Sequence, residues 1–593
     1  MPSRVYLGIF ENHFDPAVAI VRDGQVLAYA EEERFIRQKH AYRVFPARAL
    51  KFCLDTAGIG PADVAAIGVN WNLKGFSNGE MASFFDRMAA EWPLDDNTRG
   101  WQRSMLANYN EDAFRARIAA HWRRIFGSAP MPPLHAVPHH YAHALHAFLP
   151  SGFDEALCLT VDGSGDEHCT VLWECRGHEI RPLREITMPH SLGWFYAAFT
   201  EYLGFQAYDG EYKVMGLAAF GRSNADLRSR VEKILHPDED GIGYRLDPSY
   251  IHYGPRNWSD RFTDYLPELF GRPMRLDHEP IDDWHEDLAF EVQRALEDSV
   301  CRLAQFGLTE MGTRNLCIGG GVGLNVKMNS RLFDLEEVSD IFPQPLCSDG
   351  GAAAAAALGA CWELEGARPT RQRTLALGNE HTDEDIAETL RRCGIAFEQV
   401  PDIAVAAASE LAEGKVVGWF QGRMEAGPRA LGQRSILADP RREAMRDKVN
   451  AAIKYREYWR PFCPSMRTED ASRYLHAHTD APFMIIAFRA RDALREQAPA
   501  IVHVDGTVRV QLVDGDDLPL YHRLLTEFGR QTGVPVLLNT SFNVKGEPVV
   551  CTIHDALRTF FSTGLDVLAA GNCLVRKPAV PVAPDLGTME SGS

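Results

Sequence analysis

Short apolar runs and clean alternation mark the start of the chain. Residues 4–10 (RVYLGIF) and 17–21 (AVAIV) read as strands, Asp23-Gly24 is a two-residue turn signal, and 25–30 (QVLAYA) returns as a third strand. Glu31-Glu32-Glu33-Arg34 opens a charged segment, and from Pro46 to Ala57 the apolar spacing turns helical and stops at Gly58. Another buried strand is predicted over Ala65 to Asn70. Residues 75–135 are richer in polar and aromatic positions with helical patches, the pattern of an insertion over a core.

Val137 to Asp166 changes the picture. His139 and His143 are four apart, so on a helix both imidazoles lie on one face. The run Ala156 to Val161 reads as a buried strand, ending at Asp162-Gly163-Ser164-Gly165-Asp166, where glycines permit a tight turn. Two imidazoles and a carboxylate at a strand end suit a divalent metal. A strand pair follows over CTVLWECRGHEIRPLREI. Residues 191–221 read as helical, ending in Glu211-Tyr212-Lys213-Val214-Met215-Gly216-Leu217, and 285–312 as a long amphipathic helix. A short strand at 315–318 runs into Gly319-Gly320-Gly321-Val322-Gly323-Leu324-Asn325, a turn type that cradles phosphates. A second carboxylate turn, Ser348-Asp349-Gly350-Gly351, enters the alanine-rich helix 352–361.

Composition shifts over 363–378, which reads as a linker between a first domain at 1–362 and a second at 379–576. The second domain opens with a helix at 383–393 and has strands at 416–420 and 534–538. Gln421 to Arg467 holds eleven Lys/Arg against five Asp/Glu in a chain of net charge −19, which points to an anionic ligand. Arg423, Arg429, Arg434 and Arg460 sit beside glycine or proline, and a guanidinium fork suits phosphate and carboxylate oxygens. The proline-rich end, 577–593, reads as a disordered tail.

Length and charge bound the function. A chain of 593 residues exceeds one core. No apolar run approaches the roughly 18 residues of a membrane span, and the N-terminus leads into a strand, not a signal peptide. Twelve scattered cysteines without a CxxC pair fit reduced thiols in the cytoplasm. The acidic balance disfavours a nucleic-acid partner.

Taken together, EEERFIRQKH (31–40), HHYAH (139–143), DGSGD (162–166), EYKVMGLAAFG (211–221), GGGVGLN (319–325), SDGGAAAAAALGA (348–360), GPRALGQRSILADP (427–440), KYREYWRPFCPSM (454–466) and LLNTSFNVKGEPVV (537–550) resemble the ATP-dependent carbamoyltransferases of antibiotic and nodulation-factor biosynthesis. The resemblance implies an α/β protein: an actin-like ATPase domain, then a smaller α/β domain similar to the enzyme that makes threonylcarbamoyl-adenylate. It implies that carbamoyl phosphate and ATP, with Mg2+, give carbamoyl-adenylate in the second domain, and that the first passes the carbamoyl group to a hydroxyl of a small molecule. By matching family positions, Arg429, Lys454, Arg460 and Arg509, with Arg423 and Arg434, would contact phosphate or carbamate, and Asn539 and Ser541 would supply polar groups at a strand end. His139, His143, Asp162 and Asp349 would hold a divalent metal, iron in the family. His13 would act in transfer. Glu211, Lys213 and the Gly320, Gly321, Asn325 turn would line the adenylate pocket. The family commonly has a polar residue after that first histidine, where this chain has Phe14. Rival readings are carbamoyl transfer to an amine and a nucleotide-binding regulatory module. An oligomer is compatible with all three.

Overall fold

The three apolar runs at the N-terminus form an antiparallel meander: β1 (Val5–Phe10), β2 (Ala17–Arg22) and β3 (Gln25–Glu31). β4 (Val64–Val69) and β5 (Leu134–Ala136) add in parallel, giving the order β3-β2-β1-β4-β5. The plan then repeats. β6 (Glu155–Gly165), β7 (His168–Arg176) and β8 (Glu179–Thr187) form a second meander. After a small separate hairpin, β9 (Leu235–Pro237) with β10 (Tyr244–Leu246), β11 (Asn315–Gly319) and β12 (Asp340–Pro343) add in parallel, in the order β12-β11-β6-β7-β8. Two copies of one meander-plus-parallel-pair sheet are the plan of an actin-like ATPase domain. The computed structural model describes residues 4–577 except 93, 254–258, 455, 456, 458 and 461. All but the first residue of the predicted tail lies outside the described residues.

The helix Ala352–Glu365 joins the two halves and has no polar face, because it is buried on all sides through Trp362. Its approach to the first sheet is backbone on backbone. A Cβ at Gly8 would stand 1.8 Å from the Ala353 carbonyl oxygen, and one at Gly68 2.2 Å from that of Ala356. Asp349 sits in the short turn that leads into this helix.

The second domain is an eight-stranded mixed sheet ordered β13-β22-β21-β14-β15-β20-β16-β19. Its strands are β13 (Glu398–Gln399), β14 (Val417–Phe420), β15 (Arg434–Ala438), β16 (Cys463–Arg467), β19 (Gln511–Val513), β20 (Val536–Ser541), β21 (Val567–Ala570) and β22 (Cys573–Arg576). β17 (Phe488–Arg489) and β18 (Thr507–Val508) pair apart from it. Helices Ile403–Ala412 and Pro519–Thr532 cover one face through Trp419, Leu437, Leu524 and Phe528. An apolar cluster containing Leu346, Ala426 and Leu431 continues from the first domain into the second.

Several elements differ from expectation. The charged stretch after β3 is a helix, α1 (Glu32–Ile36), favoured by Glu32 and Glu33 in its first turn. Residues 191–221 are two helices, Leu192–Tyr202 and Glu211–Leu217, because the chain turns at Gly204 with φ +80°. Among the described residues, helices Leu73–Ser77, Glu80–Glu91, Asp96–Tyr109 and Glu111–Phe126 run from just before the insertion into it. Helix Ala352–Glu365 runs into the first residues of the 363–378 stretch. No helix among the described residues is long and apolar enough to cross a membrane.

Candidate active site

His139 and His143 lie on one face of the buried helix His139–Phe148, Asp162 lies in the bulged end of β6, and Asp349 opens the turn before the alanine helix. Fold and sequence converge here, for their four ligand atoms fall within 4.8 Å of one another. The two Nε2 atoms are 3.0 Å apart. Asp162 Oδ2 lies 3.8 and 3.3 Å from those of His139 and His143, and Asp349 Oδ1 3.5 and 3.7 Å. A tetrahedral ion with bonds of about 2.0–2.2 Å sets its donors roughly 3.3–3.6 Å apart. These residues fit such an ion, and Asp349 Oδ1 is buried without a hydrogen-bond donor.

The charges answer one another. Burial alone would raise Asp162, but the imidazoles of His139 and His143 hold its carboxyl well below the usual range. Burial would likewise lower His143, yet Asp162 and Asp349 push it up to about 9. Backbone N–H groups brace the carboxylate: Gly163 donates to Asp162 Oδ1 at 2.7 Å and Gly321 to Oδ2 at 3.0 Å. The glycine turn thus grips the Asp162 carboxylate. Gly320 passes against Val161, and Asn325 caps the next helix through Met328 N–H and bonds Gln293.

Two bracing residues went unread in the sequence. Asp166 Oδ2 accepts His139 N–H at 2.9 Å while Oδ1 accepts Asn72 N–H. The Asn70 carboxamide stands 3.3 Å from His139 Nδ1. The atom facing the ring is its Nδ2, a contact that orients the imidazole. Asn70 follows β4 directly, and strand ends facing the cleft were the available signal.

His13, in the turn after β1, has Nδ1 3.5 Å from Asp349 Oδ2, on the far oxygen from the cluster. Burial lowers its pKa, against the pull of Asp349. The unexpected Phe14 is buried, stacks on Tyr208 at 4.6 Å and meets the tilted Tyr42 ring at 4.5 Å. Asp15 pairs with His40 at 2.9 Å, and the Glu33 carboxylate accepts the His40 N–H. His140 is engaged by Thr160 and the His168 carbonyl.

A second pocket lies at the domain junction, lined by Tyr212, Gly216 and Lys327 of the first domain and Arg429, Arg460, Arg509, Asn539 and Ser541 of the second. Burial, and then the like charge of Arg509, push the Arg429 guanidinium down to about 9. Arg509 donates to Cys463 Sγ at 2.8 Å. Arg460 lies 4.4 Å over the Tyr212 ring and 3.4 Å from Glu457, which also pairs with Lys213 at 3.0 Å. Other expected contacts are spent locally. Lys454 donates to the Ser541 and Asn543 carbonyls and to Asn543 Oδ1. Arg434 is fully buried over Phe420 and donates to the Gln421 and Gly422 carbonyls. Arg423 donates to the carbonyls of Leu27, Leu377 and Gly378. The Glu211 carboxylate accepts the Tyr208 and Gly210 N–H groups.

Several known proteins are similar to this chain. The Synechocystis protein sll1178 is 37% identical over 97% of this chain and 97% of its own length. The nodulation protein NolNO of Sinorhizobium fredii is 36% identical over 95% of this chain and 79% of its own. The 3'-hydroxymethylcephem-O-carbamoyltransferase of Streptomyces clavuligerus is 33% identical over 58% and 61%. Among solved structures, component A of (R)-2-hydroxyglutaryl-CoA dehydratase from Acidaminococcus fermentans aligns over 60% of this chain and 97% of its own at 13% identity and TM-score 0.31. The repeated strand order carries the fold assignment, not that alignment. Residues 5–358 match the carbamoyltransferase N-terminus and 408–577 the carbamoyltransferase C-terminus. The chain belongs to the carbamoyltransferase family and is a transferase of carbamoyl groups.

Proposed function

We propose that this carbamoyltransferase works in two steps at two sites. Carbamoyl-adenylate forms from carbamoyl phosphate and ATP in the junction pocket, and its carbamoyl group passes to a hydroxyl of a small molecule beside His13. The observation that carries the reading is that Arg429, Arg460 and Arg509 line one pocket together, a gathering of guanidinium groups suited to a multiply charged anion.

Atom balance requires one water in the first step. It releases phosphate from carbamoyl phosphate, and the carbamate oxygen then attacks the α-phosphorus of Mg2+-bound ATP, expelling pyrophosphate. Arg429, Arg460 and Arg509 would hold the anionic oxygens, and Lys454 would order the Ser541–Asn543 edge. In the second step the acceptor oxygen bonds the carbamoyl carbon and AMP leaves. The hydroxyl proton goes to His13 Nε2, since Nδ1 faces Asp349. Its lowered pKa keeps the ring neutral and able to accept. A divalent ion on His139, His143, Asp162 and Asp349, iron by the family resemblance, would supply positive charge beside the reacting adenylate. The Streptomyces relative's name, a hydroxymethylcephem O-carbamoyltransferase, supports a small hydroxylated acceptor here. The scattered thiols fit a cytoplasmic reaction.

The test is exchange of labelled pyrophosphate into ATP by the metal-replete protein. Exchange that requires carbamoyl phosphate is expected. Carbamoyl transfer without any such exchange would overturn the adenylate step.

A further inference from the structure

The stretch from Glu31 to Arg37 carries part of the family resemblance, yet it enters neither site. It packs between the domains instead. Arg34 is buried, with Nε 2.7 Å from Glu31 Oε2 and 3.3 Å from Glu33 Oε1, and its Nη2 donates to the Gly427 carbonyl at 2.8 Å. The Glu31–Arg34 pair thus meets this loop at the Gly427 carbonyl. Gly427 is two residues before Arg429. Its φ is +83°, and a Cβ there would stand 2.6 Å from the Leu346 side chain, three residues ahead of Asp349. The loop that presents the pocket arginine therefore rests on the segment that presents a metal-site carboxylate.

Arg37 holds a second loop. It donates to the carbonyls of Pro548 and Val549 at 2.8 and 2.7 Å and pairs with Asp555 at 3.3 Å, just beyond Ser541 and Asn543. At its other end the same stretch reaches the turn of His13. Glu33 accepts the His40 N–H at 2.8 Å, His40 pairs with Asp15, and Arg43 N–H donates to the His13 carbonyl at 3.0 Å. A buried ion-pair cluster of this kind adds little net stability, so its geometry is the better account of it.

We infer that Glu31–Arg37 is a clamp through which the first domain positions the anion pocket of the second, with Arg34 as the positioning residue for Arg429. Arg34 touches no substrate and acts through Gly427. The inference rests on the junction pocket being an anion site.

The test uses the full metal-replete chain and inorganic pyrophosphate as the probe. Arg34→Gln should weaken pyrophosphate binding by calorimetry, and raise KM for carbamoyl phosphate in exchange, by about tenfold or more. Metal content and transfer from supplied carbamoyl-adenylate should stay near parental values, and Arg34→Lys should restore most of the binding. Should Arg34→Gln not fold, Arg37→Gln, at a less buried position, should give the same pattern at smaller size. Unchanged pyrophosphate affinity in the folded variant would overturn the clamp. So would metal content and transfer falling in step with binding, since that marks general destabilisation. A parental protein that binds no pyrophosphate would overturn the anion pocket itself, and the clamp with it.

Discussion

In the first domain, imidazoles and carboxylates from three distant stretches meet, and each sign of charge is answered by the other. In the junction pocket, Arg429 and Arg509 bring like charges to one lining, and burial with that like charge lowers the Arg429 pKa. A few residues away, Arg423 and Arg434 lie on backbone carbonyls, although all of these arginines look alike in sequence. One region sets both signs of charge together, and the other gathers guanidinium groups of a single sign. What separates a ligand-binding arginine from a structural one is where its donors already point, and a count of charges does not contain that.

The contrast can be broken by substitutions that strike one site and spare the other. Arg429→Ala should have the largest effect, removing a charge-assisted contact of about 2–4 kcal/mol and with it carbamoyl-phosphate-dependent pyrophosphate exchange. Supplied carbamoyl-adenylate should still be consumed, and equal loss of both half-reactions would merge the two sites into one. Asp162→Ala should do the reverse. Metal content by elemental analysis and transfer should fall together, by about a hundredfold in rate, with exchange retained. Full metal occupancy in that variant would remove the cluster from the chemistry.

His13→Asn sharpens the comparison within the first site. Transfer should slow by about a hundredfold while metal content and exchange hold, and parental transfer would remove His13 from the reaction. Asn70→Ala should weaken metal affinity by about tenfold through His139, read by competition with a chelator. Unaltered affinity would leave Asn70 as a packing residue.

The smallest effect concerns His40. Burial would lower its pKa, but Asp15 and Asp209 outweigh that and raise it to about 10. A raised folded value contributes stability that is fully present below the unfolded value, near 6.5, and is lost as pH rises through about 10. His40→Asn should therefore lower the melting temperature near pH 6, with the gap to the parent closing by pH 10. A gap that widens with pH would reverse the assigned sign.

How far each region was legible follows the same physics. The β1–β3 meander and the β6 turn at Asp162 were visible because their periods and glycine signals are local. That Asp349 joins His139 was not, since it depends on a helix seated on another sheet, and only the family resemblance supplied it. The fates of Arg423 and Lys454 depend on carbonyls up to hundreds of residues away, as with Leu27 and Arg423. The stretch of α1 reads in sequence only as a charged segment because its partners lie in the second domain.

The seam between the alanine helix and the first sheet sets a rule for anyone retargeting this enzyme. With Gly8 and Gly68 seated on the helix backbone, a single added methyl would have to lever the helix outward, and Asp349 stands at its tip. The seam behaves as a hinge pin with no play, and diversity placed there is spent on misassembled enzyme.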